Sequence, residues 1–277
     1  MRVYRSVVLA AFCFLSLAVS LHAQQTVPST SAAPSTSDPR ATTLLQQALG
    51  ALTGGQAVTD VTVTGAVRRI AGQDDETGTV VLKALATGES RIDMSFPSGN
   101  RSGVRTNSAN GPVGTWKGPD GALHPVAAHN LLVNGPWFFP ALMLSSLNSS
   151  SGMAVTDAGQ ETRDGRTVEH LTAISQQASN LSAYSTKLFQ HLTQVDVYVD
   201  SSTLLPMEIV YNIHPPNDPG RDAPMETRYS DYRAVNGMQI PFHIQQFLSL
   251  NLILVFDLQI QSTAFNTGLS ASSWNAQ

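Results

Sequence analysis

Of the seven histidines in this 277-residue chain, six stand at positions 124, 129, 170, 191, 214 and 243. Imidazole is a metal ligand and a proton carrier near neutral pH, yet these positions are scattered along the chain and form no ligand motif. There is no His-Glu-x-x-His. Glu169 and His170 are neighbours in an extended run, where adjacent side chains face opposite ways and cannot share an ion. All six read as surface or capped histidines. The serines from Ser145 to Ser151 lack the Gly-x-Ser-x-Gly elbow of an activated nucleophile and read as a polar loop. Asn217, Asp218 and Asp222 offer oxygen ligands, but not at the spacing of a calcium loop. Gly118-Pro119-Asp120-Gly121 is a hairpin turn rather than a phosphate cradle. The expectation is no catalytic centre, no metal and no cofactor.

What remains is the chemistry of apolar surface. Trp137-Phe138-Phe139-Pro140-Ala141-Leu142-Met143-Leu144 runs on to Leu147, too greasy for a loop and without strand alternation. This segment and the preceding stretch from Pro125 read as two short helices, interrupted near Pro136 and Pro140 and apolar nearly all round. Such helices either cap a sheet as ordinary core or form a movable lid over a lipid-sized cavity. Met and aromatic side chains suit acyl chains and ordinary packing gaps alike. As a lid, the segment would hinge at Gly135-Pro136 and at residues 148–152.

Composition narrows the partners. Charged residues are 13% of the chain and the net charge is −4, so no basic patch exists to neutralise nucleic acid or anionic membrane. A hydrophobic share of 42% is enough for a core. The chain opens Met-Arg-Val-Tyr-Arg, continues with an apolar stretch from Val7 to Val19, and reaches Ala23. A basic end, a short apolar run and a small residue are the parts of a secretory signal, here residues 1–23, and the run is shorter than the roughly 20 residues that span a bilayer. Losing Arg2 and Arg5 leaves 14 basic against 20 acidic side chains, a balance of −6. The one cysteine, Cys13, leaves with the signal. No later segment is apolar enough to span a membrane. Residues 24–38, rich in Ser, Thr, Pro and Ala, read as a flexible tether, and 39–277 as one domain.

The elements that would position these groups follow from periodicity. Asp38 is an N-cap and Pro39 a first helical residue. Ala41, Leu44, Leu45, Ala48, Leu49 and Leu52 then make one stripe, and Gly54-Gly55 ends the helix. Period 2 takes over from Val61 to Ile70, and the acidic run Asp74-Asp75-Glu76 reads as the following turn. Strands are expected from Val80 to Ala86, through Ile92, Met94 and Phe96, and around Val104 and Trp116. More follow at Met153 to Val155 and, across the turn at Asp164-Gly165, at Thr167 to Ile174. The polar stretch from Ser175 to His191 gives no clear pattern. The last third reads as a five-strand meander with one greasy face. A loop from Asp200 to Leu204 would pair Val199 with Leu205. Val195, Val197, Met207, Ile209 and Tyr211 then share a face. Asn236-Gly237 is a tight hairpin turn. A three-residue loop, Ser249-Leu250-Asn251, would pair Leu248 with Leu252 and keep Phe242, Ile244, Leu254, Phe256 and Leu258 on that face.

The runs VDVYVDSSTLLPMEIVYNI, ETRYSDYRAVNGMQIPFHI and LQIQSTAFNTGL resemble the C-terminal part of LolA-like periplasmic carriers. The shared pattern is a Leu-Pro strand start, a Tyr-x-x-Tyr-x-x-x-Asn-Gly-x-x-x-Pro hairpin, and a last strand ending at Asn-x-Gly-Leu. The resemblance extends over about residues 39 to 275. It implies a mainly β (α+β) fold: an unclosed antiparallel β-barrel, or half-barrel, with an N-terminal helix and short lid helices on the concave face. The implied function is non-catalytic carriage of a hydrophobic ligand, either lipid or the acyl chains of a lipoprotein, in the periplasm. The cavity and lid would be formed by Trp137, Phe138, Phe139, Leu142, Met143, Val197, Met207, Ile209, Phe242, Ile244, Leu254, Phe256 and Leu258. The alternative on the same fold is a structural or sensory cell-envelope protein with a filled core. Two departures stand out. Trp274 sits where such chains often close with Phe, and the low charge argues against the same docking partners.

Overall fold

The computed structural model describes residues 37–133, 135–149, 152–176, 181–248, 251–270 and 272. The expected signal, the tether up to residue 36, Ser150-Ser151 of the second hinge, Ser249-Leu250 of the last hairpin and Trp274 lie outside them. The last two residues of the expected tether are engaged by structure: the Asp38 amide donates to the Val155 carbonyl at 2.8 Å, and the Val155 amide to Ser37 Oγ at 3.2 Å.

The described residues contain three α-helices, α1 (Pro39–Thr53), α2 (Pro140–Ser149) and α3 (Ala183–Leu192). Thirteen strands accompany them. The first six are β1 (Asp60–Ala71), β2 (Asp74–Leu85), β3 (Ser90–Phe96), β4 (Gly99–Ser108), β5 (Gly111–Lys117) and β6 (Leu123–Pro125). The others are β7 (Met153–Arg163), β8 (Arg166–Ser175), β9 (Val195–Asp200), β10 (Pro206–Ile213), β11 (Ala223–Val235), β12 (Met238–Leu248) and β13 (Ile253–Phe265). They form one antiparallel sheet in the order β6-β5-β4-β3-β2-β1-β13-β12-β11-β10-β9-β8-β7. β6 and β7 are its two edges and do not pair, so the sheet is an unclosed half-barrel. No described helix is long and apolar enough to cross a membrane.

This order has a consequence for the middle of the chain. Consecutive strands β6 and β7 lie at opposite edges, so residues 126–152 must cross the width of the sheet. That crossover holds a 3₁₀ turn (Ala128–Leu131) and α2, the two helical pieces expected there.

α1 follows its sequence signals. Asp38 accepts from the Arg40 amide at 2.8 Å, Pro39 is the first helical residue, and Gly54 closes the helix in the left-handed conformation, φ 60°. A Cβ on Gly54 would lie 2.6 Å from the Gly237 carbonyl oxygen, so only glycine lets the helix end dock on the β11–β12 turn. That turn has φ 48° at Asn236 and 84° at Gly237, the paired positive values of a tight hairpin. Ala41, Leu45, Ala48 and Leu52 are fully buried against the sheet and α2.

Four expectations need correction. The acids 74–76 are not a turn; they begin β2, where Arg68 and Asp75 pair across the strands at 2.6 Å. Val199 pairs with Pro206 rather than Leu205, and Met207 is the extra residue of a bulge before Glu208 meets Tyr198. Leu248 pairs with Ile253 rather than Leu252, and a second bulge between Gln246 and Phe247 sets Leu254 opposite Phe247. The patternless stretch after Ser175 contains α3, capped by Ser182 accepting from the Ser185 amide.

The Asn-x-Gly-Leu ending locks the sheet's central seam. Buried Asp60 accepts from the Thr267 amide and hydroxyl and from the Gly268 amide at 2.8–3.0 Å. Burial pushes its carboxyl up, and these hydrogen bonds outweigh that effect and hold it below the usual carboxylate range.

Candidate functional site

The inner face of the sheet, covered by α1 and the crossover, carries the core. Val61, Val63, Val67, Val80, Leu82, Leu171, Val195, Val197, Ile209, Ile244 and Leu258 are buried in one cluster with Phe138, Phe139, Leu142, Met143, Leu144 and Leu147 of the crossover. Each of these six crossover residues is 4% exposed or less. α2 is therefore buried along its apolar residues, between the sheet and α1, while Asn148 is exposed.

Trp137, just before α2, is different. It is partly exposed and borders two cavities. One, about 130 Å³, is walled by Ser90, Ile92, Arg105, Asn130, Tyr211 and Met143, among others. The other, about 100 Å³, is walled by Val67, Leu82, Met94, Gln246, Phe256 and Leu258, among others. The indole stacks on Phe256 at 6.4 Å and meets Phe138 edge-on at 5.7 Å. Its carbonyl accepts from the buried Tyr229 hydroxyl at 2.6 Å. Just upstream, Gly135 has φ 110°, and a Cβ there would sit 2.8 Å from Met143 Sδ, so this bend is reserved for glycine.

The first cavity holds a cation. Arg105 reaches in from β4; one guanidinium nitrogen donates to the Gly88 carbonyl and another to the Leu131 carbonyl at 3.3 Å. Its Nε is buried without a partner. Burial pulls this guanidinium below its ordinary value, with Glu89 opposing the shift. Across the cavity, burial pushes the Tyr211 hydroxyl up to about 12, against a hydrogen bond with Gln246. One end of the paired cavities is thus polar and cationic, the other almost wholly apolar.

Of the expected site residues, Trp137, Phe138, Met143, Phe256 and Leu258 line these cavities. Phe139, Leu142, Val197, Ile209 and Ile244 are buried in the surrounding core, and Phe242 packs partly against it. Met207 and Leu254 lie outside the core cluster. Each sits at one of the two bulges, where the strict alternation assumed for them breaks. Arg105, Tyr211, Ile92, Met94 and Gln246 were not expected in the site. Ile92, Met94 and Tyr211 carry an alternation signal; Arg105 carries none.

The histidines are not all scattered. On the outer face, His170 Nε2 lies 2.9 Å from Asp196 and His243 Nε2 lies 2.9 Å from Asp257. His243 Nδ1 is also 3.2 Å from Ser230 Oγ, which completes a serine-histidine-aspartate relay. That relay lies on the β11, β12 and β13 surface, and Ser230 and His243 sit opposite each other on paired strands. None of the three lines either inner cavity. The contacts are those of cross-strand pairs. His129, His191 and His214 converge elsewhere, with Asp222.

No protein-family model matches this sequence, and no curated protein matches it. Solved structures match its fold. A candidate outer membrane lipoprotein-sorting protein domain from Vibrio parahaemolyticus superposes with a TM-score of 0.53 at 14% identity, over 85% of this chain and 96% of that one. A LolA superfamily protein from Nitrosomonas europaea gives 0.54 at 14% identity, over 85% and 97%. A DUF1329 family protein from Desulfovibrio piger gives 0.50 at 10% identity, over 85% and 96%. The chain has the LolA-like fold.

Proposed function

We propose that this protein is an exported, non-catalytic carrier that binds an amphiphile, a lipid or the acyl chains of a lipoprotein, on the inner face of its half-barrel. The observation that carries the reading is the pair of cavities on either side of Trp137. The apolar one suits a hydrocarbon chain. The other offers Arg105, Ser90 and Asn130 to a polar, anionic head. One of the structures that share the fold is named for lipoprotein sorting, which agrees with this reading.

At about 100 and 130 Å³ the cavities are smaller than the roughly 300 Å³ at which ligand sites begin. Binding therefore needs movement, and energetics decide which part moves. Releasing α2 would expose the four large side chains Leu142, Met143, Leu144 and Leu147 at about 1.5–3 kcal/mol each, on the order of 10 kcal/mol, comparable with the whole stability of a domain. Trp137 is already partly exposed and stands between the cavities, so a movement confined to Trp137 and the adjoining bend at Gly135 uncovers far less and joins them. The gate is thus narrower than the lid expected from sequence: α2 stays and Trp137 moves. Burial of apolar ligand surface, at about 25 cal/mol per Å², drives uptake.

The burial of α2 also favours a second reading, a structural or sensory envelope protein with a filled core. Extraction of the protein purified from its native host, followed by lipid mass spectrometry, separates the two. A stoichiometric co-purifying amphiphile, displaced by a fluorescent fatty acid, is the carrier outcome. Delipidated protein that takes up no such probe leaves the filled core.

A further inference from the structure

Four side chains that are far apart in sequence meet at one end of the crossover. His129 lies in the 3₁₀ turn, His191 in the last turn of α3, His214 directly after β10, and Asp222 in the proline-rich loop before β11. One donor atom each from His191, His214 and Asp222 lies within 4.8 Å of the others. His191 Nε2 is 2.7 Å from Asp222 Oδ1, and His214 Nδ1 is 3.5 Å from the same oxygen. The His214 ring meets those of His191 and His129 edge-on, at 5.6 and 5.8 Å.

The hydrogen bonds say which nitrogens are available. The His214 side chain has no exposed surface. Its Nδ1 lies 3.2 Å from the Arg221 carbonyl; a carbonyl only accepts, so Nδ1 carries the proton and Nε2 the lone pair. That Nε2 is buried with no partner, and so is His129 Nε2. Buried imidazole nitrogens left unpaired are unusual and call for a reason. A histidine that donates one ring N–H to a main-chain carbonyl while presenting the other nitrogen is in the habitual posture of a metal ligand.

We propose that His191, His214 and Asp222, with His129 as fourth ligand, form a binding site for a divalent transition-metal ion of the zinc type. Imidazoles with one carboxylate match zinc, copper or nickel and do not match the all-oxygen preference of calcium or magnesium. Zinc holds nitrogen at about 2.1 Å in a tetrahedron, which places its ligands about 3.4 Å apart. His191 and Asp222 are exposed enough to rotate toward the buried ring of His214. The ion would tie the start of the crossover to α3 and to the β10–β11 loop. Nothing in this depends on lipid carriage.

Titration of the untagged exported protein with zinc chloride by calorimetry, alongside thermal melts, tests the site. One ion per chain is expected, with a rise in melting temperature that EDTA reverses and that a hundredfold excess of calcium or magnesium does not reproduce. Losing an outer-shell partner alone weakens a metal site about 10–100-fold, so His191→Ala combined with Asp222→Ala should weaken binding by at least about a hundredfold. Both positions are partly exposed, and circular dichroism checks that the variant folds. His129→Ala should weaken binding by about tenfold or more, and His243→Ala, on the outer face, should leave it unchanged. No zinc binding, or binding that survives the double substitution or tolerates His129→Ala, overturns the proposal.

Discussion

The hydroxyl of Tyr229, on β11, donates to the main-chain carbonyl of Trp137 at 2.6 Å. The residue between the two cavities is therefore held to the sheet by its backbone, while its indole rests on Phe256. Tyr229 is the first tyrosine of the Tyr-x-x-Tyr pattern; the second, Tyr232, makes the matching bond to the Pro206 carbonyl at 2.8 Å. One bond latches the crossover and the other latches the neighbouring hairpin.

Tyr229→Phe tests the latch. It keeps the ring and removes the donor, leaving the Trp137 carbonyl unpaired at a cost of about 1–3 kcal/mol. We expect the denaturant midpoint to fall accordingly and a bound fluorescent fatty acid to dissociate faster. Wild-type stability together with a wild-type release rate would show that the bond holds nothing.

The two bulges give a contrast between neighbours. Ile209 and Leu258 are buried on the inner face, whereas Met207 and Leu254 fall outside the core at the bulges. Ile209→Asp and Leu258→Asp bury an unpaired charge and should cost more than about 4 kcal/mol or prevent folding. Met207→Asp and Leu254→Asp should stay within about 1 kcal/mol of wild type. Urea unfolding of the four variants distinguishes the pairs, and similar losses in all four would put the bulges in the wrong place.

These positions also mark how far the sequence could be read. The alternating strands, α1, the Asn236-Gly237 turn and the apolar crossover were legible, because each rests on a local signal of period, cap or turn. That the strands join into one unclosed half-barrel was not local and followed only from the resemblance, and the edge that the crossover reaches had no signal. Bulges at Met207 and beside Phe247 were invisible, because one extra residue leaves no compositional trace yet reverses every side chain beyond it. α3 did have a signal that went unused: Ser182 as N-cap, then Leu188 and Leu192 at helical spacing. Arg105 and the histidines around Asp222 had none, since tertiary structure alone brings them together.

Glu208 ties stability to pH. Burial, then repulsion from Glu226, pushes its carboxyl from 4.5 up to about 7, against the nearby Arg163 guanidinium. Between those values the folded chain keeps a proton that the unfolded chain has lost. This contribution is therefore full below about pH 4.5 and is lost as pH rises through 7. Glu208→Gln should gain stability relative to wild type as pH rises from 5 to 8. Denaturant melts at pH 5 and pH 8 measure it; a difference that does not change with pH would place the ionisation elsewhere.

Hydrogen exchange decides whether the crossover is a gate or a fixed cover. α2 packs Leu142, Met143, Leu144 and Leu147 between sheet and helix, so its amides should open only near the global stability, like those of β9. Gly135 and Trp137 lie at the bend, where Trp137 is partly exposed, so their amides should exchange through a smaller opening. Added amphiphile should slow exchange there and leave α2 unchanged. Trp137→Ala supplies the second arm. A Trp fixed in a core costs about 3–5 kcal/mol when truncated to Ala, whereas a partly exposed gate residue should cost less and instead change affinity for the amphiphile. Uniform protection across the crossover, unmoved by ligand, with a full core penalty at Trp137, would assign the segment to the scaffold and leave the inner face filled.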